Sequence, residues 1–175
     1  QGGGASQSDR RINVVIGDKI AFSGNGHFYE YVQFDSSIAA ATSGRSWTTA
    51  RTAAAGTTYF GLNGYLATIT SALENSFVIG KVSGNAWLGA NDTVTEGTFK
   101  WVSGPEANNN LTSGYTNWNS GEPNNSNNED YVHIMDWTDP PGRWNDLPNN
   151  GGGEGNYKAT GYIVEWSGTP SVNLT

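Results

Sequence analysis

The sequence predicts an α+β domain in which two short helices stand ahead of an antiparallel sheet and a long loop region carries the polar chemistry. Three observations support this. One segment shows helical spacing closed by a glycine and another a capping box closed by a glycine, and several short β-branched and aromatic runs are punctuated by Gly, Asn and Pro clusters. Residues 102–131 keep almost no periodicity. A loop of that length inside a compact unit is usually functional or disordered, and its Trp118, Pro123 and carboxylates favour an ordered, ligand-bearing one. At 175 residues the chain fits one domain, assigned to 12–175, with the Gly/Ser/Gln-rich residues 1–11 read as linker.

In chain order, "INVVI" (Ile12–Ile16) and "FYEYVQF" (Phe28–Phe34) have strand composition. In "SWTTARTAAAG", Trp47, Ala50 and Ala54 recur at helical spacing, and Gly56 is expected as a left-handed stop. "SALENSFVIG" opens with Ser71 and Glu74 at capping-box spacing, each able to bond the other's orphan amide, and closes at Gly80. From Ala86 onward "AWLGA", "TFKWV", "YVHIM" and "GYIVEW" read as short strands. Trp47, Trp87, Trp101 and Trp166 are expected in the core.

Composition excludes several functions. Without cysteine there are no disulfides, thiolate nucleophiles or Cys-type zinc sites. Net charge is −7 and the nine basic residues are scattered, so nucleic acid is not an expected partner. No run approaches the roughly 18 apolar residues of a membrane span, and the opening "QGGGASQSD" lacks a signal-like apolar stretch. The chain is therefore expected to be a monomeric module of a larger protein, without membrane insertion. His27 and His133 lie in strand-like segments without zinc spacing and read as structural or surface histidines.

The chemistry concentrates in "GEPNNSNNEDYVHI" (Gly121–Ile134) and in "WND" (Trp144–Asp146). Glu122, Glu129 and Asp146 offer anionic oxygens, and Asn124 and Asn145 offer amide oxygens, a set suited to the 6–8 oxygen ligands of Ca²⁺. Three carboxylates about 5 Å apart, at an effective dielectric near 20, would repel by roughly 3 kcal/mol per pair and about 10 kcal/mol together. That is comparable to the stability of a whole domain. The plainer reading is that Asn- and Gly-rich loops simply form good turns.

These residues resemble the C-type lectin-like domains. The resemblance rests on "EPN" at Glu122–Asn124, "ED" at Glu129–Asp130 followed by a strand, and "WND". It extends through "GHFYEYV", "SWTTAR", "GYLATITSALENSF", "AWLGAND" and "GTFKWVSG", over about residues 26–166. It implies a principal Ca²⁺ site of Glu122, Asn124, Glu129, Asn145 and Asp146, with Asp146 also giving its main-chain carbonyl. The same groups would hold two vicinal sugar hydroxyls, and the EPN form implies mannose- or fucose-type sugars. It also implies a cis bond before Pro123 and an auxiliary Ca²⁺ site of Asp92, Glu96, Asn125, Glu129 and Asp130. Trp118 and Trp144 would anchor the loops.

The chain departs from the family pattern at Ala54, Tyr131, Asn149 and Val164, where cysteines are usual. The segment Met135–Gly142 is longer than usual before "WND" and is expected to roof or narrow the site, with Trp137 as a candidate for stacking on ligand. Cysteine-free versions resemble modules of large bacterial RTX surface adhesins. That implies an extracellular cell-surface setting, with a glycan as first ligand and a peptide or protein terminus as the alternative. Glu122 and Glu129 could imitate a glycosidase pair. Amides transfer no protons and a Ca²⁺-bound carboxylate is a poor acid, so the expectation is a binding module and not an enzyme.

Overall fold

Helix α1 (Trp47–Ala55) starts where the Ser46 hydroxyl accepts a hydrogen bond from Thr49 N at 3.1 Å. Helix α2 (Ala72–Ile79) starts where Ser71 accepts from Glu74 N at 3.2 Å. Both stops are glycines, but Gly56 and Gly80 keep right-handed helical angles, so the expected left-handed stop is not used. The capping box is also half-made. Glu74 turns away from its own cap and accepts from Thr70 N (2.6 Å) and the Thr70 hydroxyl (2.9 Å), because tertiary partners hold its carboxylate.

The structure is a computed structural model that describes residues 19–39, 42–152 and 155–169. The expected linker over 1–11 and strand over 12–16 lie outside them. The strands are β1 (Ile20–Ala21), β2 (Phe28–Gln33), β3 (Thr58–Tyr59), β4 (Leu62–Leu66), β5 (Asn85–Asn91), β6 (Lys100–Trp101), β7 (Tyr131–Met135), β8 (Arg143–Leu147) and β9 (Gly161–Trp166).

They form a sheet in the order β1-β2-β9-β5-β7-β8, with β4 also on β9, β6 on β5 and β3 on β4. The sheet is mixed and not wholly antiparallel, because one edge of β9 is shared. Its start pairs in parallel with β5 at Ala86 and Trp87. Its end pairs antiparallel with β4 at Gly64–Leu66. Strands also precede and separate the helices, and the order "helices, then sheet" gives way to pairing between β2 and β9 from opposite ends of the fold.

Every residue of β9 is buried, because both faces of the sheet are covered. On one face Trp47, Ala50 and Ala54 of α1 pack with Trp87, Tyr162, Val164 and Trp166. On the other, Val78 of α2 packs with Ile134, Trp144 and Ile163. The four tryptophans expected in the core are there, and Ala54 and Val164, two of the positions where cysteines are usual, fill it with methyl groups. Gly89 lets β5 pass under Leu66, whose carbonyl oxygen would sit 2.3 Å from an added Cβ.

The second face carries a buried polar cluster. Glu74 and Glu165 are almost fully enclosed. Glu74 accepts from Thr70, from Asn25 Nδ2 (2.9 Å) and from the Tyr29 hydroxyl. Glu165 lies 2.6 Å from His27 Nδ1 and accepts from Thr68 N (2.9 Å), with the Tyr29 hydroxyl at 3.2 Å. His27 thus has the structural role expected of it, and its pKa is raised chiefly by that bond to Glu165.

Candidate metal and ligand site

The site is hung from Trp144 in β8. This side chain is fully buried, its Nε1 donates to Asn75 Oδ1 of α2 (2.8 Å), and its ring meets those of Trp101, Tyr115 and Trp118 edge-on. Its backbone pairs with the long loop, through Trp144 N to Asn117 O and Asn119 N to Trp144 O, both 2.8 Å. One turn further on, Glu122 N donates to Asn119 O at 3.0 Å. A rigid aromatic core therefore positions the start of "EPN", and the Glu122–Pro123 bond is cis, as is Asp139–Pro140.

Asp146 then draws the loop inward. Its carboxylate, fully buried, accepts from Asn124 N (3.2 Å) and Asn125 N (2.9 Å). Asn124 Oδ1 accepts from Ser126 N, and Asn125 Oδ1 from Glu129 N, both 2.8 Å. Asn125, Asn127 and Asn128 sit at positive φ, which Asn tolerates better than most residues. The turn-forming reading thus holds for all four asparagines here. Asn124 and Asn127 also line a cleft.

That cleft has a volume of about 660 Å³. Glu122, Asn124, Ser126, Asn127 and Glu129 line it from the loop, Asn145 and Leu147 from β8, and Pro148, Asn150, Gly152 and Tyr157 from the connection that follows. Four of the five residues named for the principal site are in that lining, and the fifth, Asp146, lies beneath the loop. The Asp146 carbonyl, expected as a ligand, accepts one hydrogen bond, from Asn145 Nδ2.

The electrostatics are those of crowded, under-solvated carboxylates. Burial, then the Asp146 charge, pushes the Glu122 carboxyl up to about 7. Burial, then Asp146 and Glu122, does the same to Glu129. Asp92 rises to about 6 through burial, with Glu96 and Asp130 adding to it. Asp92 Oδ2 accepts from Gly97 N at 2.7 Å. Among the described residues, the buried carboxylate oxygens with no hydrogen-bond partner are Glu122 Oε2 and Asp92 Oδ1, one in each predicted cluster.

A hard cation fits both observations: it would satisfy the orphaned oxygens and offset the repulsion. Among the described residues no group of three or more His, Asp or Glu side chains gathers tightly enough to hold a metal alone. A shell here would need the amide oxygens of Asn124 and Asn145 as well. In the second cluster, Asn125 Oδ1 is already engaged by Glu129 N, and Glu129 couples mainly to Asp146 and Glu122. Asp92, Glu96 and Asp130 remain its core.

Met135–Gly142 does not roof the cleft. It caps the far end of the β7–β8 ladder, whose Tyr131–Leu147 end lies at the site, and no residue of it is in the lining. Trp137 is half-exposed and meets the Tyr157 ring edge-on at 5.1 Å, so it reaches the cleft only through Tyr157. Tyr157, Asn150, Ser126 and Asn127 are lining residues that sequence reasoning missed. His133, fully buried against Trp87, has both ring nitrogens unpartnered, and burial pushes its pKa down to about 3. No described helix is long and apolar enough to cross a membrane.

Fold and cleft together define a lectin-type module. The fold superposes on the C-type lectin CEL-I from Cucumaria echinata with a TM-score of 0.62 at 23% identity, covering 89% of this chain and 99% of that one. The Lectin C-type domain profile matches residues 43–151, and the chain belongs to that family. It is 37% identical over 152 residues to halomucin from Haloquadratum walsbyi, covering 82% of this chain and 1% of halomucin. It is 31% identical over 91 residues to the alpha-N-acetylgalactosamine-specific lectin of Patiria pectinifera, covering 48% of this chain and 51% of that lectin.

Proposed function

We propose that the domain is a calcium-dependent binding module whose ligand is a glycan with vicinal hydroxyls, bound at Glu122, Asn124, Glu129, Asn145 and Asp146. The observation that carries the reading is the orphaned, buried Glu122 Oε2 beside Asp146 in a cleft lined by neutral amides. A Ca²⁺ ion would take the carboxylate oxygens, and its open positions would take two hydroxyls. Amide N–H groups and carboxylates would meet each hydroxyl as acceptor and donor. Asp92, Glu96 and Asp130, with Asn125 and Glu129 nearby, form a weaker auxiliary calcium site.

Catalysis is not part of the reading, since cation-bound carboxylates stay ionised. The setting we propose is the outside of a bacterial cell, within a larger adhesin, where millimolar Ca²⁺ loads sites of Kd about 10⁻⁴ to 10⁻³ M. A peptide terminus remains the second reading, because a carboxylate can also fill open calcium positions. Its weakness is the acidity of the cleft.

The test is a glycan array, including mannose-, fucose- and N-acetylgalactosamine-terminated structures, beside a peptide library, each in millimolar Ca²⁺ and in EDTA. Glycan hits that vanish in EDTA and compete with mannose or fucose are expected. Peptide hits alone would replace the sugar reading with the second one, and hits indifferent to EDTA would remove calcium from the account.

A further inference from the structure

The cleft is longer than its proposed calcium end. At 660 Å³ it falls in the middle of the range for pockets that enclose drug-sized ligands, which are larger than a single hexose ring. The remainder runs from Leu147 and Pro148 to Asn150 and Tyr157. These residues have a different character from the carboxylate end.

Tyr157 presents an amphipathic ring, apolar on its face and polar at its tip. That ring is braced from outside by Trp137, edge-on at 5.1 Å. The backbone behind it is tied down: Asn85 Nδ2 donates to Asn156 O and, at 3.0 Å, to Lys158 O. Asn150 Oδ1 is held by Gly152 N at 3.0 Å, which leaves its Nδ2 to donate. An aromatic ring and neutral amides lining one cleft match the alternating C–H and hydroxyl surfaces of a sugar ring. No described lining residue is Lys, Arg or His, so nothing in the cleft would hold an anionic group apart from a bound cation.

We infer that Tyr157 and Asn150 form a second subsite, which takes the next residue of a neutral oligosaccharide whose terminal residue sits at the calcium end. The inference rests on the sugar reading above and adds to it a ligand length, a charge and a selecting residue. Tyr157 is the specificity residue and Trp137 its positioning residue.

The experiment is calorimetry of the full, calcium-loaded protein with methyl α-mannopyranoside, α1,2-mannobiose and mannose 6-phosphate. The disaccharide should bind about three- to tenfold tighter than the monosaccharide, as expected for one added ring contact. Tyr157→Ala should bring that ratio close to one, Tyr157→Phe should keep it, and Trp137→Ala should reduce it by a smaller factor. Equal affinities in the unmodified protein, or a ratio that Tyr157→Ala does not move, would overturn the subsite. Mannose 6-phosphate binding tighter than the mannoside would overturn the neutral preference. Loss of all three sugars in Ca²⁺ would overturn the sugar reading itself, and this inference with it.

Discussion

Two acidic clusters in this molecule differ in who answers their oxygens. At Glu74 and Glu165, every carboxylate oxygen accepts from protein donors: Asn25, Tyr29, Thr70, Thr68 and His27. At Glu122, Glu129 and Asp146, the protein supplies backbone donors to Asp146, leaves Glu122 Oε2 orphaned, and lets the charges face one another. Burial alone does not distinguish them, since Glu165 and Asp146 are equally enclosed. Satisfaction does. A cluster completed from within holds a fold together, and the one left open toward the cleft is where we propose that a cation binds.

The largest expected effect breaks the closed cluster. Glu165→Ala strands the Thr68 amide and His27, and should destabilise by about 3 kcal/mol, equally in Ca²⁺ and in EDTA. Denaturant unfolding in both buffers would show it, and a calcium-dependent loss would assign that cluster to the wrong class.

Next comes calcium itself. At a hundredfold over Kd, Ca²⁺ should stabilise the unmodified domain by about 2.7 kcal/mol. Asn124→Ala and Glu122→Gln should remove that gain and ligand binding together, as read by thermal melts and the glycan array. A calcium shift retained in both variants would contradict the principal site.

A smaller effect is pH dependence. Glu122 and Glu129 are raised to about 7 in the metal-free fold, so the folded state binds more protons than the unfolded one between about 4.5 and 7. Stability in EDTA should therefore fall as pH rises through that window, and Ca²⁺ should flatten or reverse the fall. The measurement is the melting temperature across pH 4.5–8 with and without Ca²⁺; a rise in EDTA would have the wrong sign.

The smallest change sharpens the auxiliary cluster. Asn125→Asp keeps the acceptor for Glu129 N but adds a charge to the carboxylate cluster, so metal-free stability should fall by about 1 kcal/mol. The weaker calcium step should tighten. Calorimetry that shows no second step in either protein would leave Asp92 as an ordinary buried acid.

Much of the fold was legible because local and tertiary signals agree: Trp47, Ala50 and Ala54 share the buried face of α1, Ser71 caps α2, and "YVHIM" and "GYIVEW" are strands end to end. The misses have physical causes. "RWNDL" has no strand composition, yet β8 forms because β7 supplies its ladder, and its polar residues serve the cleft. Glu74 reads as half of a capping box, and only the folded neighbourhood shows Tyr29 and Asn25 claiming it. Of the site, the oxygen-bearing residues could be named because hard-cation chemistry needs those side chains. Tyr157 could not, since it follows a glycine run with no periodicity, and only the fold brings it to the same cleft as Glu122.

The most direct measurement is calcium titration calorimetry on the chelator-treated domain at neutral pH, alongside Glu122→Gln. Saturable binding with Kd about 10⁻⁴ to 10⁻³ M is expected, with the principal step absent in the variant. No heat in the unmodified protein, or the same isotherm in both, would contradict the claim that the open cluster is completed by calcium.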